Sequence, residues 1–91
     1  MVNKSVEIGL SSKGRLRIIR ELEISNSPLS LYMLERRTGL RRKSIRSDIA
    51  ALLSVNWIIE VKGRVTKYEL NRQNHDLMVI VRALREINYI E

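Results

Sequence analysis

The stretch RRTGLRRKSIR, residues 36–46, carries six of the chain's 17 basic side chains and not one acid. A Thr38-Gly39-Leu40 turn lies at its centre, with a helical pattern on each side. Two short helices joined by a glycine turn, the second studded with Arg, Lys and Ser, suit a helix that enters a DNA groove.

Beyond the turn, Ile45, Ile49 and Leu52 recur at spacings of four and three, with Leu53 on the flank. That period predicts a helix over about 42–55. At about 100° per residue, Lys43, Ser44, Ser47 and Ala51 fall on the opposite face, and Arg42 and Arg46 border it. Ala50 and Ala51 keep the outer face slim. Asn56 suits the exit, because Asn tolerates the left-handed conformation.

Before the turn, Ser30 can cap a helix over 31–38, with Leu31, Leu34 and Thr38 on one face. Gly39 is its natural C-terminal residue, and Leu40 plugs the turn into the core. Earlier still, Ser11 or Ser12 can cap a helix running to residue 23 or 24. Leu16, Ile18, Ile19 and Leu22 form its apolar stripe, and Arg15, Arg17 and Arg20 point to solvent. Asn26-Ser27-Pro28 break that pattern. In residues 1–10, Val6, Ile8 and Leu10 alternate; a short strand, an ordered arm and a frayed tail all fit.

After Asn56 the period becomes two. Trp57, Ile59 and Val61 alternate with Ile58, Glu60 and Lys62, and Gly63-Arg64 leads into Val65-Thr66-Lys67-Tyr68-Glu69-Leu70. This predicts a hairpin with a two-residue Gly-Arg loop. Lys62 then faces Val65, Glu60 faces Lys67, Ile59 faces Tyr68 and Trp57 faces Leu70, which matches charge with charge and apolar with apolar. The last segment, about 73–90, reads as a helix capped by Asn71 or Asn74, with Asp76 near its positive end. Leu77, Ile80, Leu84 and Ile87 follow a heptad spacing and Val81 widens the stripe. Such a seam either folds onto the chain's own first helix or pairs with a second copy.

Ninety-one residues make one domain with a thin core. A net charge of +7 calls for an anionic partner. The absence of cysteine excludes disulfides, thiolate metal sites and cysteine nucleophiles, and fits a reducing, cytoplasmic setting. No apolar run of about eighteen residues offers a membrane span, and residues 1–10 lack a signal-peptide core. No paired carboxylates, Ser-His-Asp set or phosphate-cradling glycine loop points to catalysis. His75 is the single histidine, without partners for a metal, and reads as a surface residue. No cofactor is expected. Trp57 reads as core.

The order helix, helix, turn, helix, hairpin, helix gives a mainly helical α+β fold. SLYMLERRTGL at residues 30–40, then Ile45, Ile49 and Leu52, Asn56-Trp57-Ile58 and Tyr68-Glu69-Leu70 together resemble the small winged-helix DNA-binding proteins of archaea. They also resemble the broader set of bacterial and archaeal winged-helix repressors. Glu35 and Arg41 depart from that pattern, which usually has a small residue and a Ser or Thr cap at those places.

The resemblance covers about residues 12–70. It implies a DNA-binding domain over 11–70, after an arm over 1–10, and a terminal dimerisation helix over 71–91 that pairs as a coiled coil. It makes 42–55 the recognition helix, with Lys43, Ser44 and Ser47 toward base edges and Arg42 and Arg46 on phosphates. Lys62 and Arg64 would place the wing on the backbone or in the minor groove. Arg36 and Arg37 would reach phosphate from the second helix. Tyr32 would offer its hydroxyl there, or pack its ring under Pro28.

The dimer seam would be Leu77, Ile80, Val81, Leu84 and Ile87. The expected function is a sequence-specific, homodimeric transcription regulator on double-stranded DNA, associated with the nucleoid. A non-specific architectural or chromatin protein and a winged-helix protein–protein module are the competing readings.

Overall fold

The computed structural model describes residues 2–91. Eight elements follow one another: α1 (Lys4–Gly9), α2 (Lys13–Ser25), β1 (Leu29–Ser30), α3 (Leu31–Thr38), α4 (Arg42–Ser54), β2 (Ile58–Val61), β3 (Lys67–Leu70) and α5 (His75–Glu86).

Four helices begin on a side-chain cap: Asn3, Ser12, Ser30 and Asn74 each accept a backbone N–H from three residues on. Each satisfies a donor that the helix itself cannot. The exits are equally local. Asn26, Asn56 and Asn88 take positive φ after α2, α4 and α5, and Gly39 does so after α3. Asn is the side chain that best tolerates this region, so the chain uses it where it does not use glycine.

Within the described part of residues 1–10, Lys4–Gly9 form a helix and not a strand. Asn3 caps α1, and Val6 and Leu10 pack on the core. A spacing of two followed by two puts Val6 and Leu10 four residues apart, which is also one helical face. Gly9 is buried against the ring of Trp57.

Ile18, Ile19 and Leu22 of α2 meet Leu34 of α3 and Ile45, Ile49 and Leu52 of α4. Leu16, expected in the stripe, is only partly buried. Trp57, Ile58, Leu70, Leu77, Val81 and Ile90 close the other side of the same cluster.

The sheet corrects two expectations. Its order is β1-β3-β2, so β1 supplies a third strand, pairing Leu29 with Tyr68. The hairpin register is also one residue from the expected one: Ile58 faces Leu70, Ile59 faces Glu69, Glu60 faces Tyr68 and Val61 faces Lys67. The loop is therefore 62–66, not a two-residue turn. Trp57 explains the shift. It is not a strand residue: its N–H bonds back to Leu52 of α4 at 3.1 Å, and its carbonyl accepts from Asn71 at 2.9 Å. Counting it into the strand inverts the phase, and the inward strand pair is Ile58 with Leu70.

α5 is shorter than the expected 73–90. After Asn88 the chain turns back; the N–H groups of Tyr89 and Ile90 bond the Leu84 carbonyl, and Ile90 is buried. Leu77 and Val81 are buried in the chain's own core, so a packed interior claims two residues of the expected dimer seam. Glu23 of α2 fastens this helix. Its carboxylate lies 2.7 Å from Arg85 of α5 and 2.7 Å from Arg72. Burial raises its pKa, but the hydrogen bonds and charges of Arg85 and Arg72 prevail and hold it below the ordinary carboxylate value. Arg85, though exposed, is thus a clamp.

Candidate nucleic-acid interface

α4 presents the surface that residues 36–46 announced. Ile45, Ile49 and Leu52 hold its inner face, while Lys43, Ser44, Arg46, Ser47 and Ala50 are exposed. Of the two alanines expected on the outer face, Ala50 is exposed on the ridge and Ala51 is half-buried. A concavity on each side separates this ridge from the rest of the molecule. Ser12, Lys13, Gly14, Leu40 and Asp48 line one, an open depression, with Lys43, Ser44 and Ser47. Leu31, Ile49, Leu53 and Tyr68 line the other, also open, with Arg46 and Ala50. Lys43 and both serines therefore lean toward α2, and Arg46 leans toward α3 and the sheet.

Among the described residues, only Arg42 of the six bases in 36–46 has an acid partner. Its guanidinium meets Glu35 of α3. Glu35, the departure noted in the sequence, thus finds a role as a strap across the turn, and Arg42 is less free than Lys43 or Arg46. Arg41 precedes the helix without a side-chain cap bond, so the first turn of α4 is held by packing and by the Ile45 N–H to Arg41 carbonyl bond.

Tyr32 is exposed. Its hydroxyl accepts from Arg36 at 3.3 Å. Arg37 is exposed one residue on. In the wing, residues 62–65 are all exposed. Lys62 leans on Glu60 at 3.7 Å, whereas Arg64 has no acid partner among the described residues. His75 opens α5 and is exposed.

One element was not legible beforehand. Asp48 of α4 is buried, and Arg15 Nε donates to its Oδ1 at 3.0 Å while Ser12 Oγ donates at 3.3 Å. Arg15 is therefore a strut between α2 and α4, not a solvated side chain. The available signal was Asp48 itself, the lone acid between Glu35 and Glu60.

On α5 the apolar residues divide into two arcs. Leu77, Val81 and Leu84 face the core. Val79, Ala83 and Ile87 are exposed on another side, with Ile80 half-buried between them. Among the described residues no three of His, Cys, Asp and Glu gather to hold a metal, and no helix is long and apolar enough to cross a membrane.

Helices α2, α3 and α4, a glycine turn before an exposed third helix, and a hairpin beyond it define a winged helix-turn-helix. No protein-family profile and no curated protein matches the chain. Among solved structures it is similar to HlyU from Vibrio cholerae N16961, at 17% identity over 93% of this chain and 89% of that one, with a TM-score of 0.78. NolR from Sinorhizobium fredii is similar at 18% identity over 97% and 85% of the two chains, with a TM-score of 0.79. An ArsR-like transcriptional regulator from Rhodococcus sp. RHA1 is similar at 28% identity over 94% and 76%, with a TM-score of 0.71. These likenesses place the chain in the winged-helix fold.

Proposed function

We propose that the protein is a homodimeric, sequence-specific DNA-binding transcription regulator that inserts α4 into the major groove. The observation that carries this is the α4 ridge, exposed between two concavities, with Lys43 and Arg46 free of acid partners among the described residues. The ArsR-like neighbour, itself called a transcriptional regulator, supports the same reading.

Lys43 would donate to guanine O6 and N7, with Ser44 and Ser47 beside it on base edges. Arg46 would grip a phosphate, assisted by Arg42, Arg36, Arg37 and the Tyr32 hydroxyl. Arg64 and Lys62 would lay the wing on the backbone or in the minor groove. No chemistry is involved: occupancy of a promoter, beside the nucleoid, is the action.

Dimerisation belongs to the outer arc of α5. Ile80 and Ile87 remain from the expected seam, with Leu84 at its edge, and Val79 and Ala83 extend it. Leu77 and Val81 support it from within the core. Two linked heads multiply their affinities by effective concentration and call for half-sites about 34 Å apart or a multiple of that.

The test is a salt titration of duplex binding by the protein and by a variant with Arg42, Lys43 and Arg46 made Gln. Affinity should fall steeply with salt in the parent, with several counterions released. The variant should keep its fold and lose binding; unchanged affinity would end the proposal. The short side chains Ser44, Ser47 and Ala50 favour a second reading, a non-specific architectural protein. A ratio near one between selected and random duplexes would establish it, against about a thousand or more for a regulator.

A further inference from the structure

The acid on the recognition helix is a joint. Arg15 Nε holds Asp48 of α4 at 3.0 Å, and the Nη1 of the same guanidinium donates to the Ile8 carbonyl of α1 at 2.6 Å and also reaches Ser11 Oγ. Gly14 lets α2 come close enough: a Cβ there would sit 2.3 Å from Asp48 Oδ2. α1 is seated at two further points. Gly9 lies on Trp57, whose N–H is bonded to the end of α4, and the Asn3 amide donates to Asp76 of α5 at 3.0 Å. The N-terminal helix therefore touches the exit of α4 directly and its middle through one arginine.

We infer that Arg15 is a positioning residue for base recognition, and that the seating of α1 is thermodynamically linked to the roll of α4. The inference rests on the DNA-binding reading above and adds what sets its precision. Ser44 and Ser47 are short, and a hydrogen bond from a short side chain fails with small displacements. Lys and Arg reach phosphates through long flexible stems and tolerate the same displacement. A loosened joint should therefore weaken the specific complex and spare the non-specific one. Linkage is reciprocal, so a bound duplex should in turn tighten α1.

The experiment uses the full chain with Arg15→Gln and Asp48→Asn, singly and together, and Gly9→Ala, which lifts α1 while leaving both side chains of the Arg15–Asp48 pair in the sequence. Two properties are measured: Trp57 emission without DNA, and affinity for the best selected duplex and for a random one of equal length. Expected are unchanged far-ultraviolet dichroism, a red shift of Trp57, a loss of about tenfold on the selected duplex and less than about twofold on the random one. The double variant should lose less than the sum of the two single ones, since both remove the same ion pair. Arg15→Lys, with one ammonium for two distant acceptors, should rescue only part.

Equal losses on both duplexes, selected-duplex affinity within about twofold of the parent, or no duplex preference at all would overturn the inference. Should the parent bind no duplex, the DNA reading fails by itself. The joint between α1 and α4 is then judged on fluorescence alone, and an unshifted Trp57 in Arg15→Gln and Asp48→Asn refutes it.

Discussion

Gly9 lies directly against the indole of Trp57: a Cβ on residue 9 would come 2.2 Å from the ring carbon Cζ3. No side chain fits between α1 and the floor that Trp57 makes after α4. Overpacking a filled site typically costs about 1–3 kcal/mol. Gly9→Ala should lower the urea midpoint accordingly, with the loss read on Trp57 fluorescence. An unchanged midpoint would mean that α1 does not rest on the ring.

Arg42 and Arg46 stand one turn apart on α4 but differ in company. Arg42 is strapped to Glu35, and Arg46 has no acid partner among the described residues. Arg46→Gln should reduce duplex affinity at low salt and lower the salt slope by about one phosphate contact. Arg42→Gln should do less, while Glu35→Gln should raise affinity by freeing Arg42. Equal effects of the two arginine variants in a binding titration would contradict this ranking.

Glu23 ties α2 to Arg85 and Arg72, and its pKa is held below the ordinary value by those partners. A carboxyl group with a lowered folded pKa adds stability above its unfolded value, about 4.3, and loses it as pH falls through the folded value. Glu23→Gln should therefore destabilise the protein at pH 7, by about 1.5–3 kcal/mol for hydrogen bonds to charged partners. The two melting curves should converge in strong acid. A gap that persists there would assign the loss to packing and not to charge.

Leu77 in α5 and Ile87 at its C-terminal cap differ in their surroundings. Leu77 is fully buried and Ile87 is 71% exposed. Leu77→Ala should cost about 2–5 kcal/mol of fold stability. Ile87→Glu should leave the fold intact and shift sedimentation from dimer toward monomer. A monomeric parent, or a dimer indifferent to Ile87→Glu, would remove α5 from the interface.

Most of the architecture was readable because its signals are local. Ser12, Ser30 and Asn74 mark helix starts, Gly39 and Asn56 mark exits, and the spacing of Ile45, Ile49 and Leu52 sets the inner face of α4. The failures share a cause in tertiary contact. Pairing of Leu29 with Tyr68 joins segments far apart in the chain, and no pattern in a two-residue strand announces it. The hairpin register followed Trp57, whose burial depends on a glycine 48 positions earlier. In the site, the exposed bases were legible from composition. The Arg15–Asp48 joint was not, because an arginine on an amphipathic helix reads as solvated until its partner is located. The heptad seam was read correctly as apolar, but a broad stripe does not say which half meets its own core.

The loop of residues 62–66, exposed over 62–65, carries a consequence for how such a molecule diversifies. Closing a longer loop adds only about 0.6 kcal/mol for each doubling of its length. Insertions there would change how far Arg64 travels along a duplex while leaving every helix in place. Under the proposed function, the span of the binding site could thus be retuned at the wing, independently of the bases contacted from α4.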